Sequence, residues 1–484
     1  MDKKLPKFVG TINIPGDKSI SHRALIIGSQ ATGIVKVSNL LESADVFSTM
    51  NALRKFGVHI IKRGKDYYVY GLVVGGLREY NGTINCGNSG TTARLMMGLL
   101  STYPITINFI GDKSLSKRPM ARVINLLKEF GANALPENKN TMPFKFLGSY
   151  VGLQNDQKLN VPSAQLKSAW CLAALNTKGI STLEERFETR DHTEIMLKYL
   201  NANIKVKKSK NKKIISIFGK TPIDAKDISV PGDISSAAFM IILALISKNS
   251  KVTIKNVLLN PTRTGILDVL KKMKAKIKIK NKKTVCGEIV GDIEAKSSNL
   301  KATTVPEKMA PRLIDEYPIL FIAACFAKGT SNFKGIEELR VKESDRIKSM
   351  EDGLKPLGVK VSSTKSSVKI TGTNSFKLEL LASISPTISP QTVFLFLILI
   401  LAFIFLSTSK IPVRVGFNKT FLIVTVEFLE ISARMIMKAA DEISPGTEIS
   451  FASIGVFPKI EMIFLFLDFL TLILAFKYLS MISV

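Results

Sequence analysis

Between Pro15 and Leu25 the chain reads Pro-Gly-Asp-Lys-Ser-Ile-Ser-His-Arg-Ala-Leu, a turn that delivers an extended strand into the first turn of a helix. Lys18 and Arg23 stand beside Ser19 and Ser21 there. Unpaired N–H groups and the positive end of a helix dipole favour a phosphate or carboxylate at such a start, and two cations add long-range attraction. A single copy reads equally well as a capped helix with solvated basic residues, because serine is an ordinary cap. Repetition separates these readings. Cys86-Gly87-Asn88-Ser89-Gly90-Thr91-Thr92 opens an apolar helix through Arg94 and Leu99, and Val161-Pro162-Ser163-Ala164-Gln165 opens another through Trp170 and Leu175. Val230-Pro231-Gly232-Asp233-Ile234-Ser235-Ser236 opens a fourth, and Asp315-Glu316-Tyr317-Pro318 a fifth.

These starts recur every roughly 70 to 80 residues, too long for a solenoid repeat but suited to a duplicated αβ subdomain. Strand-like segments alternate with the helices, so the fold class expected is α/β. The spacing puts a sixth start near residues 385–395, where Ser385-Pro386-Thr387-Ile388-Ser389-Pro390 precedes an apolar run from Val393 to Leu406. The polar signature is missing there. That run, like Met462 to Phe476 with Asp468 inside it, is shorter than the ~20 residues that span a bilayer, which argues against a membrane anchor.

Composition narrows the partners. The 484 residues suffice for two or three domains with sizeable cores. Of the formal charge of +29, residues 1–372 carry 60 Lys plus Arg against 31 Asp plus Glu, while residues 373–484 carry 8 against 8. Lysine runs at Lys205–Lys213 and Lys271–Lys283 lack interleaved aromatic residues, so they read as solvated faces or strand edges rather than a nucleic-acid platform. Cys86, Cys171, Cys286 and Cys325 form no Cys-x-x-Cys pair, which indicates neither a disulfide framework nor zinc and fits a reducing cytoplasm. Met1 to Gly10 has no apolar run behind its lysines, against a secretory signal. His22, His59 and His192 show no triad or metal spacing, so His22 and His192 are expected to support their motifs, with no metal. Gly87 to Thr92 lacks the Gly-Lys-Ser/Thr ending of a P-loop.

Further motifs complete an ordered set: Lys117-Arg118-Pro119-Met120, Arg190-Asp191-His192-Thr193-Glu194, and Leu339-Arg340-Val341-Lys342-Glu343-Ser344-Asp345-Arg346. With the helix starts, they make the chain resemble the 3-phosphoshikimate 1-carboxyvinyltransferase (enolpyruvylshikimate-phosphate synthase) family over about residues 5–372. The resemblance implies two domains of three αβ units each, helices inside and sheets outside, an inside-out barrel-like α/β fold. One domain would comprise residues 18–230, on the shikimate 3-phosphate side. The other would comprise 1–17 plus 231–372, on the phosphoenolpyruvate side, with 373–484 a divergent apolar region.

It also implies the chemistry. Phosphoenolpyruvate and shikimate 3-phosphate each bring a phosphate and a carboxylate, which helix starts and cations would neutralise in a closed cleft. By motif, Ser19, Arg23, Ser163 and Arg190 would hold shikimate 3-phosphate, with Ala164 standing where some relatives have a second serine. Arg118, Gln165 and Arg346 would hold phosphoenolpyruvate, Lys18 would touch both, and Asn88, Gly90 and Thr91 would form a second cradle. Asp315 would take the hydroxyl proton and Glu343, with Lys342 beside it, would protonate the methylene carbon. In isolation Lys342 to Arg346 reads as an exposed helix with i, i+4 ion pairs. No cofactor is implied, and the partners are small anions taken up by a cytoplasmic monomer.

The family pattern continues with an Asp-His-Arg motif at the sixth start and a later lysine. No Asp-His-Arg follows Arg346, and Lys410, Lys419 and Lys459 have no matching context. A frame slip near residue 373, a rebuilt sixth unit and a membrane tether stay open for this region. Two functional alternatives also stay open. One is a catalytically impaired anion-binding relic. The other is the sister transfer to a UDP-sugar, which would be expected to carry a cysteine in the loop Gly111–Arg122, where none stands.

Overall fold

Short β-branched runs and apolar helical runs alternate along residues 7–209, 212–342 and 344–373, which are the residues described by the computed structural model. β1 (Val9–Asn13) leads into α1 (Lys18–Gly28), β2 (Ile34–Ser38), α2 (Ala44–Lys55) and the hairpin of β3 (His59–Arg63) and β4 (Asp66–Tyr70). The same succession follows as β5 (Gly82–Asn85), α3 (Gly90–Leu100), β6 (Thr106–Ile110), α4 (Ala121–Lys128), β7 (Asn133–Leu135) and β8 (Phe144–Leu147). A third run is β9 (Asp156–Leu159), α5 (Ala164–Leu175), β10 (Gly179–Glu185), α6 (His192–Tyr199), β11 (Ile204–Lys208) and β12 (Lys213–Gly219). Next come β13 (Ile228–Ser229), α7 (Ile234–Ile246), β14 (Lys251–Leu258), α8 (Gly265–Lys272), β15 (Lys276–Val285) and β16 (Glu288–Lys296). The last described run is β17 (Thr304–Val305), α9 (Tyr317–Cys325), β18 (Thr330–Lys334), α10 (Arg346–Leu354), β19 (Lys360–Ser363) and β20 (Ser367–Thr371).

Among the described residues these strands make five four-stranded sheets of one design. A leading strand lies parallel to the strand after the first helix, and that strand pairs antiparallel with the second arm of the hairpin. Two leading strands are exchanged. β1 pairs with β14 from Val9↔Lys251 to Asn13↔Lys255, whereas β13 pairs with β2 through Ile228↔Val37 and Ser229↔Ser38. The chain therefore crosses over twice, at Pro15-Gly16-Asp17 and at Pro231-Gly232-Asp233. The crossings lie antiparallel at a Gly16↔Gly232 bridge, with the Asp17 amide donating to the Pro231 carbonyl at 2.8 Å and the Asp233 amide to the Pro15 carbonyl at 3.0 Å. Gly16 is required there, because a Cβ would stand 2.1 Å from the Asn39 carbonyl oxygen.

Local signals set the helix starts. Asp17, Ser89, Ser163 and Asp233 each accept a backbone N–H of the first turn, a cap worth about 1 kcal/mol apiece. α1, α3 and α5 are buried along most of their lengths and feed one apolar core from Ile20 to Val230 that also takes in Leu258. Of the lysine runs, β11 and β15 are sheet edges as expected, where charge blocks pairing with other chains. Lys213 departs from that expectation: it is 10 % exposed and sits between two carboxylates. No described helix is long and apolar enough to cross a membrane. The runs Val393–Leu406 and Met462–Phe476, and the expected sixth start, lie outside the described residues.

Candidate active site

The starts of α3 and α5 meet at one cluster. Gln165 donates through Nε2 to Thr91 Oγ1 at 3.1 Å and accepts at Oε1 from Arg94 Nη1 at 3.0 Å. Arg118 donates through Nη2 to Asn88 Oδ1 at 2.5 Å and to Ser114 Oγ at 3.2 Å, and its buried Nε has no partner among the described residues. Gly90 keeps the cradle open, since a Cβ would meet Arg94 Nη1 at 2.7 Å. Burial, then the neighbouring Arg118 and Arg122, push the Arg94 guanidinium down to about 10. Among the described residues no carboxylate pairs with Arg94 or Arg118. Positive charge without an internal counterion is what an incoming anion meets here.

Arg23, on α1, shows the same imbalance. Its Nε donates to Thr193 Oγ1 at 2.7 Å, Nη1 to the Ser19 carbonyl at 2.8 Å and Nη2 to Ser168 Oγ at 2.6 Å, all neutral acceptors. Burial lowers it to about 10. Ser163 caps α5 by accepting from the Leu166 amide at 3.4 Å, and the Ala164 carbonyl accepts from Ser168 Oγ at 2.7 Å. His22 is buried with Nδ1 2.8 Å from Thr49 Oγ1, and burial, Lys18 and Arg23 drive its pKa well below the ordinary 6.5. It is a neutral support, as its motif suggested.

A third group surrounds Asp315. Arg190 Nη2 lies 2.5 Å from Asp315 Oδ2 and Arg346 Nη1 3.6 Å from Oδ1. Burial opposes its charge, but Arg190, Lys342 and Arg346 outweigh that and hold the carboxyl well below the usual range. Lys342 Nζ is paired with Glu338 Oε1 at 2.6 Å, an i, i+4 contact on a 3₁₀ turn rather than within an α-helix. Lys18 pairs with Asp45, and its amide donates to Asp233 Oδ2 at 3.3 Å. Glu343 lies outside the described residues.

The expected residues thus form three groups: Asn88, Gly90, Thr91, Arg118 and Gln165; Ser19 and Arg23 beside Ser163 and Ala164; and Arg190, Asp315 and Arg346. Lys18 and Lys342 hold separate carboxylates in this state. The sequence reading missed Arg94, Ser168, Thr193 and Arg263. A cation four residues after Gly90 on an otherwise apolar helix was the available sign for Arg94. Arg263 had none, since its partners Asp17, Asp233 and Glu316 are scattered along the chain. Among the described residues no group of three or more His, Cys, Asp or Glu could hold a metal ion.

The family model for EPSP synthase (3-phosphoshikimate 1-carboxyvinyltransferase) matches residues 3–384. A 3-phosphoshikimate 1-carboxyvinyltransferase of Zymomonas mobilis is 45% identical over 373 residues, 77% of this chain and 82% of that protein. One from a Chelativorans species is 44% identical over 365 residues, 75% and 81% of the two chains. Among solved structures, the EPSP synthase of Acinetobacter baumannii aligns with a TM-score of 0.68 at 39% identity, covering 77% of this chain and 83% of its own. The enolpyruvyl transferase NikO of Streptomyces tendae, at 14% identity and a TM-score of 0.58 over 76% of this chain and 83% of its own, shares the fold. With an ordered motif set, five sheets of one design and relatives matched over most of their length, the chain belongs to the EPSP synthase family.

Proposed function

We propose that the protein transfers the enolpyruvyl (carboxyvinyl) group of phosphoenolpyruvate to the 5-hydroxyl of shikimate 3-phosphate and releases phosphate. The observation that carries this reading is the excess of guanidinium charge, buried at Arg23 and half-buried at Arg94 and Arg118. Arg23, Arg94 and Arg118 have neutral partners, as a cleft for two dianionic or trianionic substrates requires. Arg23 and Arg190, with Ser19, Ser163 and Ala164, take shikimate 3-phosphate; Arg118, Gln165 and Arg346 take phosphoenolpyruvate beside Asn88, Gly90 and Thr91; Lys18 swings from Asp45 to reach both.

In the first step the 5-hydroxyl oxygen bonds to C2 of phosphoenolpyruvate as its proton leaves to Asp315 and C3 gains a proton from Glu343. In the second, C3 returns a proton to Glu343, the bond between C2 and the phosphate ester oxygen breaks, and phosphate departs with the proton that Asp315 had taken. Asp315 is a weak base while Arg190, Lys342 and Arg346 hold its charge. Substrate anions that claim those cations raise its proton affinity, so the base is strengthened when both substrates are in place. In the same reading the chain is a cytoplasmic monomer, because one chain supplies every candidate contact. It divides into 18–230 and 1–17 plus 231–372, a division supported by the exchanged pairings of β1 and β13.

Phosphate release from the full chain tests the reading. Release that needs both substrates, and fails when a UDP-sugar replaces shikimate 3-phosphate, is expected. Calorimetric binding of shikimate 3-phosphate without release on adding phosphoenolpyruvate would leave the anion-binding relic instead.

A further inference from the structure

Behind the shikimate-side arginines lie four charges that the proposed chemistry does not use. Lys167 on α5 is 0% exposed, and its Nζ contacts Glu185 Oε1 at 2.9 Å and Glu194 Oε1 at 3.0 Å. Lys213 reaches the same two carboxylates at 3.0 and 3.1 Å. Burial works against the Glu194 charge, yet Lys167 and Lys213 keep its carboxyl below the usual range. Four such charges are a poor way to gain stability, because desolvation offsets most of their attraction and apolar residues of similar volume serve as well. Their value lies in fixing geometry.

The geometry they fix is that of Arg190 and Arg23. Thr189, directly before Arg190, donates from Oγ1 to Glu185 Oε1 at 2.5 Å, and its carbonyl accepts from Lys167 Nζ at 3.4 Å. Ser168 and Thr193, the chain neighbours of Lys167 and Glu194, share a 2.7 Å hydrogen bond and both accept from Arg23. On α5 and on α6, one residue of each adjacent pair thus joins the tetrad and the other holds Arg23. We propose that Lys167, Glu185, Glu194 and Lys213 form a positioning lattice that sets Arg23 and Arg190 for the anionic groups of shikimate 3-phosphate. The proposal rests on the functional reading above.

The test uses the full chain, with phosphate-release kinetics and calorimetric titration by shikimate 3-phosphate. Lys167→Met keeps length and removes charge. Its dissociation constant and KM for shikimate 3-phosphate are expected to rise about tenfold or more, the scale of a lost charge-assisted contact. KM for phosphoenolpyruvate is expected to move less than about threefold, since its contacts are elsewhere. Thr189→Val removes a single hydroxyl and leaves all four charges. It is expected to raise the shikimate 3-phosphate KM about threefold while the chain stays folded, and Thr189→Ser to restore it. If Lys167→Met does not fold, the Thr189 pair decides alone. Equal rises in both KM values, or wild-type affinity in folded Lys167→Met or in Thr189→Val, would overturn the lattice. A wild-type chain that does not bind shikimate 3-phosphate would instead remove the functional reading.

Discussion

In the proposed mechanism Asp315 must be ionised to accept a proton yet basic enough to keep it, and the cations beside it secure only the first condition. With Arg190, Lys342 and Arg346 holding its pKa well below 3.8, the free protein keeps Asp315 charged throughout the neutral range. Bound substrate anions offset those cations, so the acid limb of kcat is expected at higher pH than that of kcat/KM, after correction for substrate titration. Asp315→Asn should retain substrate binding and lower kcat by about 10²- to 10⁴-fold. His22 gives a second pH signature, this time in stability. Its folded pKa lies well below the unfolded 6.5, so below that value the unfolded chain binds the extra proton. Stability from the neutral ring is complete above pH 6.5 and falls by up to ~1.4 kcal/mol per pH unit beneath it, down to the folded pKa. His22→Gln, which cannot titrate, is expected to flatten the loss of melting temperature between pH 7.5 and 5.5. An unchanged slope would place the acid sensitivity elsewhere.

Helices carry the cradles, and their approach sets the distance between them. Gly98 of α3 lies so close to α5 that a Cβ would stand 2.5 Å from both Cα and O of Ala169. Gly98→Ala must spread the two helices whose first turns hold Asn88 to Thr91 and Ser163 to Gln165. Overpacking of this kind costs about 1 to 3 kcal/mol, which urea denaturation reads directly, and the KM for phosphoenolpyruvate should rise with it. These helices were legible in the sequence because their starts are local: Pro-Gly-Asp and Asn-Ser-Gly announce a cap within four residues. Lys213 was not legible. In a run of lysines nothing local separates the one that strand alternation turns inward toward Glu185 and Glu194 from those facing solvent. Arg23 was legible as a cation at a helix start, but its neutral partners Ser168 and Thr193 come from two other helices.

At the scale of the whole molecule, the exchange of β1 and β13 concentrates buried charge at one point. No hydrophobic pattern announces that Val9 pairs with Lys251, because pairing over such separations is set by tertiary packing. Where the two Pro-Gly-Asp crossings meet, their capping residues Asp17 and Asp233 are both buried, with Glu316 close by. Arg263 answers all three. It lies 3.2 Å from Asp17 Oδ2 and from Asp233 Oδ1, 3.6 Å from Glu316 Oε1, and donates to Ser235 Oγ at 2.7 Å. Burial opposes the guanidinium charge, but Asp17, Asp233 and Glu316 more than compensate and raise its pKa. The cation does not satisfy three carboxylates equally: Asp17 is held below its ordinary pKa, while burial raises Asp233 and Glu316 above theirs. Arg263→Met strips the only cation paired with these carboxylates among the described residues, and breaking such a buried network by removing one partner costs about 3 to 5 kcal/mol. Because the orphaned carboxyls can then be relieved only by protonation, the variant should regain stability as pH falls toward 5, opposite to the His22 trend of the wild type. Chemical denaturation at pH 7.5 and pH 5.5 measures both. A variant as stable as the wild type at both values would mean that the crossings hold together without their shared arginine.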